Sequence, residues 1–121
     1  MGNMEKNILA EKTIAFAIRI VKCAKFLQNE KNEHIMSKQI LRSGTSIGAN
    51  VHEGVYAQSK ADFINKLSIS LKEASETSYW LTILYRTDYI NQEVFQSFKG
   101  DIDEIIRIII SAIKTAKKNI E

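Results

Sequence analysis

Acidic residues at helical spacing are the first candidates for chemistry in this sequence. Glu73 and Glu76 lie three residues apart, and Glu53 lies in an earlier segment. Carboxylates on neighbouring helices can hold a di-iron centre, but that centre also requires two Glu-x-x-His motifs. The sequence contains two histidines, His34 and His52, and no Glu-x-x-His motif. We therefore expect no metal site and no cofactor.

Nucleophiles are the second set of candidates. The single cysteine, Cys23, shares a helical pattern with bulky apolar residues, where a thiol usually behaves as a small apolar group. The segment SGTSIGANVHEG, residues 43–54, is rich in serine and glycine. It places no histidine at a recognisable spacing for a general base, and it matches no Walker or dinucleotide-binding motif. We therefore expect that the protein is not an enzyme.

Length and composition indicate one soluble domain over residues 1–121. The chain has no proline, ordinary apolar content (45%) and a formal net charge of +3. Its longest aliphatic run, Ile108–Ile110, is far shorter than the ~20 residues of a membrane span. One cysteine cannot form an intrachain disulfide. We expect a cytoplasmic protein without membrane association.

Four segments with helical periodicity predict the elements that position these residues. The first two cover about residues 8–28 and 35–57. The third follows Ser59, which has capping-box spacing to Asp62, and the fourth follows a turn near residues 88–91. Short connections favour antiparallel neighbours, so we predict an all-α, up-down-up-down antiparallel four-helix bundle. In the first helix the stripe predicted to face the core is Ile14, Ala17, Ile18, Val21 and Ala24. In the third it is Phe63, Leu67, Ser70, Ala74, Thr77, Leu81 and Leu84. In the fourth it is Phe95, Phe98, Ile102, Ile105, Ile106, Ile109 and Ile113.

The glycines of the second helix share its apolar face. Gly44 and Gly48 lie on a helical wheel within the arc of three aliphatic residues, Ile40, Ile47 and Val51. Small residues on a buried stripe let a neighbouring helix approach closely, so we predict close packing at Gly44 and Gly48. Gly54 fits either this face or a C-cap that ends the helix.

The first and fourth helices are apolar over more of their circumference than a bundle core requires. On the first helix a second stripe, rotated by about 120°, consists of Phe16, Ile20, Cys23 and Leu27. On the fourth helix Ile108 and Ile110 widen the apolar arc to about 200°. One alternative is that loops or long side chains cover such residues in a monomer. We favour a subunit interface, because large exposed apolar patches mark association sites.

Polar residues flank the predicted core of the second and third helices. We expect a polar seam that specifies the fold or the assembly, formed by Arg42, Asn50, Glu53, Glu73 and Glu76.

Basic residues suggest a surface for nucleic acid. Lys12, Arg19 and Lys22 fall within about 80° of the first helix, with Lys25 further round. Lys114, Lys117 and Lys118 crowd the end of the fourth helix. Repeated around an oligomer, these patches would follow a phosphate backbone without reading its sequence. The alternative is an ordinary solvated surface, with the last lysines facing the negative end of the helix dipole.

Two motifs resemble one known family. RSGTSIGANVHEG (residues 42–54) resembles the R-x-x-x-S-I-x-x-N-I-x-E-G segment of the small bacterial four-helix-bundle family that is also known as the 23S ribosomal RNA intervening-sequence proteins. DFINKLSISLKEASETSYWLTILY (residues 62–85) is similar to the family's second signature, in which K-E-A-x-E-T precedes Y-W-L. Val51 replaces the usual isoleucine and His52 a small residue, which should leave the fold intact.

The resemblance implies a ring-like homopentamer with a central channel. It also implies a possible partner, because one branch of the family is the accessory protein of diversity-generating retroelements, which binds nucleic acid and a reverse transcriptase. Other members are encoded within intervening sequences, and many have no established activity. Two hypotheses remain: an oligomeric accessory protein that binds RNA or DNA, or a protein-protein scaffold without a nucleic-acid role. Steep salt dependence of nucleic-acid binding would distinguish them.

Overall fold

Four helices form the part of the chain that the structure describes. The structure is a computed structural model that describes the backbone of residues 2–118 and the side chains of residues 8–118. The helices are α1 (Gly2–Glu30), α2 (Met36–Val55), α3 (Lys60–Arg86) and α4 (Gln92–Lys118). Each helix packs on the next in sequence and α4 returns to α1, whereas the described backbones of the diagonal pairs stay more than 8 Å apart, Cα to Cα. The short connections make successive helices antiparallel, so the predicted four-helix bundle is confirmed.

Side-chain caps begin α2 and α3. Ser59 accepts a hydrogen bond from the backbone N–H of Asp62 at 3.1 Å, as the capping-box spacing predicts. At the start of α2 the cap is Glu33, which the helical periodicity does not predict. Its carboxylate accepts hydrogen bonds from three backbone N–H groups, those of Ile35, Met36 and Ser37, at 2.8–3.1 Å.

The stripes predicted for α3 and α4 face the core. In α3 the stripe is buried from Leu67 to Leu84, and Phe63 is half-buried. In α4 the fully buried members are Phe98, Ile102, Ile105 and Ile109. Phe95, Ile106 and Ile113 pack at the edge of the same cluster.

Helix α1 buries the second stripe and exposes most of the one predicted to face the core, of which Ala24 alone is fully buried. The four residues predicted to form a subunit interface lie instead in the core of this chain: Phe16, Ile20, Cys23 and Leu27. Ile14 and Ile18, predicted to face the core, are 51% and 52% exposed. The buried stripe carries the larger side chains, so burying Phe16, Ile20 and Leu27 removes more apolar area than burying Ile14, Ile18 and Val21 would. Phe16 also packs edge-to-face on Phe98, with ring centroids 5.9 Å apart.

Two glycines set the distance between α1 and α2. A Cβ atom placed on Gly44 would lie 2.8 Å from two side-chain carbons of Ile20, and one on Gly48 would lie 3.1 Å from Thr13. Backbone of α2 therefore fills the space in which side chains would otherwise keep the helices apart. Gly54 does not end α2, because the helix continues to Val55 and no described glycine has a positive φ.

Candidate nucleic-acid interface

Two of the predicted nucleic-acid-binding residues on α1 are paired with acids of α4. Lys12 Nζ lies 2.9 Å from Glu104 Oε1, and Arg19 Nη1 lies 2.6 Å from Asp101 Oδ2. The Arg19 guanidinium also lies 4.2 Å above the ring centroid of Phe98. These acids balance the charges of Lys12 and Arg19, and the two ion pairs join α1 to α4. Of the four cations predicted on α1, only Lys22 and Lys25 form no ion pair within the described residues.

The C-terminal half of α4 carries a basic surface. We define the basic strip as Arg107, Lys114, Lys117 and Lys118, all of which are exposed. No acidic residue follows Glu104 until Glu121, and the strip forms no ion pair with any other described residue. Arg107, Lys114 and Lys118 line one shallow depression, together with Ser111 and Thr115. From Arg107 to Lys118 the strip extends over about 16 Å of helix.

A second basic surface lies at the other end of the bundle. We define the α1–turn groove as the cleft between the C-terminal half of α1 and the turn before α4. Lys22 and Phe26 of α1 and Lys31 line one wall, and Asp88–Asn91 and Val94 line the other. Phe26 is 43% exposed, and Lys31 Nζ lies 5.8 Å from its ring centroid.

Cys23 lies at the floor of this groove and is suited to packing. Burial raises the pKa of its thiol, and the charge of Arg19 lowers it by a smaller amount. The thiol is therefore protonated near neutral pH and a poor nucleophile.

A polar cluster joins α2 to α3 through Arg42. The Arg42 guanidinium pairs with Glu73 at 3.3 Å and with Glu76, and Trp80 Nε1 donates to Glu76 at 3.4 Å. The hydrogen bond from Arg42 is the main cause that lowers the pKa of the Glu76 carboxyl, although partial burial opposes it. Three residues of the predicted polar seam, Arg42, Glu73 and Glu76, therefore lie together.

The other two residues of the predicted seam lie elsewhere. Asn50 Nδ2 donates to the backbone oxygen of Ser46 at 2.9 Å, one turn earlier in its own helix. Glu53 pairs with Lys66 at 3.0 Å, near the opposite end of α3 from the Arg42 cluster. Successive turns of antiparallel helices meet different partners, so one face of α2 supplies two separate polar contacts.

The structure also shows why Glu33 stays ionised although it is only 7% exposed. Burial opposes ionisation, but the three N–H donors and the charge of His34 outweigh it and lower the pKa of the carboxyl. A negative charge at this position also faces the positive end of the α2 dipole. The sequence indicates this cap only through the position of Glu33, three residues before Met36, in the polar segment between α1 and α2.

An exposed apolar stripe remains on the outer side of α1. It comprises Ile14, Ile18 and Val21, with exposures of 51%, 52% and 36%. Of the two α4 residues predicted at an interface, Ile108 packs half-buried against the core and Ile110 is 37% exposed. The apolar surface available for association is therefore on a different face of α1 from the one predicted.

Neither a metal centre nor a membrane span emerges from the described residues. Within residues 8–118, no three side chains of His, Cys, Asp or Glu gather as ligands for a metal ion. None of the four helices, over its described part, has the apolar length of a membrane-spanning segment.

Comparison with known proteins identifies relatives by sequence and by structure. The family model for the 23S rRNA-intervening sequence protein matches residues 5–111. A crystal structure of a protein with unknown function, from the S23 ribosomal protein family of Bacteroides thetaiotaomicron VPI-5482, is 57% identical and superposes with a TM-score of 0.90. That match covers 91% of this chain and 98% of the other. No curated protein matches the chain.

Proposed function

Because the chain belongs to the 23S rRNA-intervening sequence protein family, we propose that it is a non-enzymatic accessory protein that binds RNA or DNA through basic surface residues. The observation that carries the proposal is the basic strip of α4. Its cations are exposed and have no acidic partner among the described residues, unlike Lys12 and Arg19. Cations in this state can replace the counterions condensed on a phosphate backbone.

The geometry of the strip suits binding that does not read base sequence. Arg107, Lys114 and Lys118 follow one line along α4, and their reach of about 16 Å spans roughly five nucleotide steps of 3.4 Å. Three phosphate contacts give a salt slope of about −3 per engaged subunit, or roughly 40-fold weaker binding between 50 and 200 mM salt. Assembly into an oligomer would multiply these contacts.

Fluorescence anisotropy with a random-sequence RNA duplex tests this proposal. The double variant Lys114→Glu/Lys118→Glu should weaken binding at least about tenfold and lower the salt slope by about 2. The matched control, Lys38→Glu/Arg86→Glu, changes the net charge equally at exposed sites on α2 and α3. Equal losses in both variants, or binding by the wild-type protein that is insensitive to salt, would overturn the proposal.

The exposed stripe of α1 supports self-association, and the family resemblance favours a ring-like homopentamer in the cytoplasm. Burying Ile14, Ile18 and Val21 against another subunit would remove an apolar surface that water otherwise covers. Analytical ultracentrifugation should show an oligomer that Ile14→Lys/Ile18→Lys dissociates. A wild-type monomer at micromolar concentration would refute assembly.

The same stripe favours the second candidate function, a scaffold for a protein partner such as a reverse transcriptase. A scaffold would use Ile14 and Ile18 for the partner and would leave the basic strip unused. Under this alternative, Lys114→Glu/Lys118→Glu would preserve partner binding, whereas Ile14→Lys/Ile18→Lys would abolish it.

A further inference from the structure

The α1–turn groove combines a cavity, an exposed aromatic ring and two cations that have no acidic partner among the described residues. Its volume is about 630 Å³, within the range of ligand pockets in proteins. Phe26 forms part of its wall and lies outside the hydrophobic core cluster. Phe26 is 43% exposed, so much of its ring is in contact with water and is not packed against other side chains.

The charges around the groove favour an anion. Lys22 and Lys31 are exposed and pair with no acid among the described residues. Arg19 adds a third cation, although Asp101 balances its charge. One acid, Asp88, also lines the cleft. Two lysines without acidic partners against one acid leave the groove with an excess of positive charge.

A polar donor completes the far wall. Asn91 Oδ1 accepts the N–H of Val94 at 2.8 Å, which caps α4 and holds the carboxamide in place. The Nδ2 amino group of Asn91 then has no hydrogen-bond partner within the described residues and remains available to a ligand.

Aromatic rings beside lysines are the features with which proteins bind unpaired nucleotides, because every base has a face that can stack. We propose that the α1–turn groove binds a single-stranded segment of nucleic acid, with one base stacked on Phe26 and the neighbouring phosphates bound by Lys22 and Lys31. This inference rests on the proposed nucleic-acid function and adds a preference for unpaired nucleotides. A duplex keeps its bases stacked on each other and cannot present one to the ring.

The groove and the basic strip are separable by mutation. Val94 at the groove and Lys114 in the strip are twenty residues apart on α4, or about 30 Å along its axis. Changes at one surface should therefore leave the other intact, and the two can be assigned to different substrates.

The experiment measures fluorescence anisotropy with labelled oligouridine and with an RNA duplex of equal length. Phe26→Ala should weaken oligouridine binding about tenfold and leave duplex binding unchanged. Phe26→Trp should retain the affinity, because tryptophan also stacks. Tyr79→Ala is the matched control, since Tyr79 is a 58% exposed aromatic residue on α3, and it should have no effect on either substrate.

Each further variant tests one element of the groove. Lys22→Ala/Lys31→Ala should lower the salt slope for oligouridine by about 1.4, because each phosphate contact to a single strand contributes about 0.7. Phe26→Leu preserves an apolar side chain without the aromatic face, so it should lose single-strand affinity as Phe26→Ala does while melting at the wild-type temperature. This variant separates stacking from any loss of fold.

Three results would overturn the inference. If the wild-type protein binds oligouridine and Phe26→Ala does not weaken it, the groove is not the site, and the proposed function of the strip stands. If Phe26→Ala and Phe26→Leu change the particle size in ultracentrifugation, Phe26 belongs to a subunit contact. If the wild-type protein binds neither oligouridine nor duplex, the proposed function fails together with the inference.

Discussion

Gly44, Gly48 and Gly100 lie inside helices but have very different surroundings, and replacing the first two by alanine measures the packing between α1 and α2. A Cβ atom on Gly44 would meet Cγ1 and Cγ2 of Ile20 at 2.8 Å, and one on Gly48 would meet Thr13 at 3.1 Å. On Gly100, in α4, the added atom meets nothing within 4 Å. Gly100→Ala therefore reports the helix propensity of alanine alone and serves as the internal control.

The expected magnitudes follow from these distances. Alanine in place of a helical glycine stabilises by about 0.5–1 kcal/mol, which is the full effect for Gly100→Ala. At Gly44, the fully buried Ile20 must move, and overpacking of a core costs about 1–3 kcal/mol. After subtraction of the propensity gain, Gly44→Ala should destabilise by about 0–2.5 kcal/mol. Gly48→Ala should fall between the two, because a shift of a few tenths of an ångström by Thr13 relieves the contact.

Urea unfolding at one fixed protein concentration measures these differences, with the slope m checked for constancy. A double-mutant cycle with Ile20→Ala then identifies the contact. Once the Ile20 side chain is shortened, Gly44→Ala should no longer destabilise, whereas Gly100→Ala should add its effect independently. Gly44→Ala that stabilises as much as Gly100→Ala would refute the close approach of α1 and α2.

Three further predictions concern side chains whose environment the structure defines. The pKa of the Glu33 carboxyl is lowered in the folded chain, so the stabilisation it provides is complete above its ordinary pKa of 4.5 and is lost as the pH falls through the folded value. The free energy of unfolding of the wild-type protein should therefore fall more steeply below about pH 4.5 than that of Glu33→Gln. Urea unfolding at several pH values measures this difference. Arg42→Ala leaves the largely buried Glu73 carboxylate without its cation and should lower the melting temperature; a wild-type melting temperature and oligomer size would contradict a specifying role for this cluster. Cys23 should react with iodoacetamide far more slowly in the folded protein than in urea, since burial raises the pKa of its thiol; equal rates would place the thiol at the surface.

Local periodicity predicted much of the architecture. The stripe of α3 reads as one helical face from Leu67 to Leu84, and all of it is buried. Ser59 begins this helix with the predicted hydrogen bond. Such features depend on residues within a few turns of one another, and so they can be read along the chain. The position of Gly44 on the apolar face of α2 follows from the same arithmetic.

Tertiary structure decided which of two apolar stripes α1 buries. Periodicity shows that both stripes exist, but a partner helix must select one of them. The buried stripe is the one with Phe16, whose ring packs on Phe98, some eighty residues later in the chain. The surface available for association changed with it, from Phe16 to Ile14 and Ile18.

The sequence by itself determined the four helices, their connections and the family. Only the tertiary structure decided which cations are free to bind a partner. Lys12 and Arg19 look equivalent to Lys22 along α1, but acids 92 and 82 residues away on α4 pair with the first two. The interaction between two charges depends on the distance between them in space. The packing of the helices sets that distance, and the separation of two residues along the sequence does not predict it.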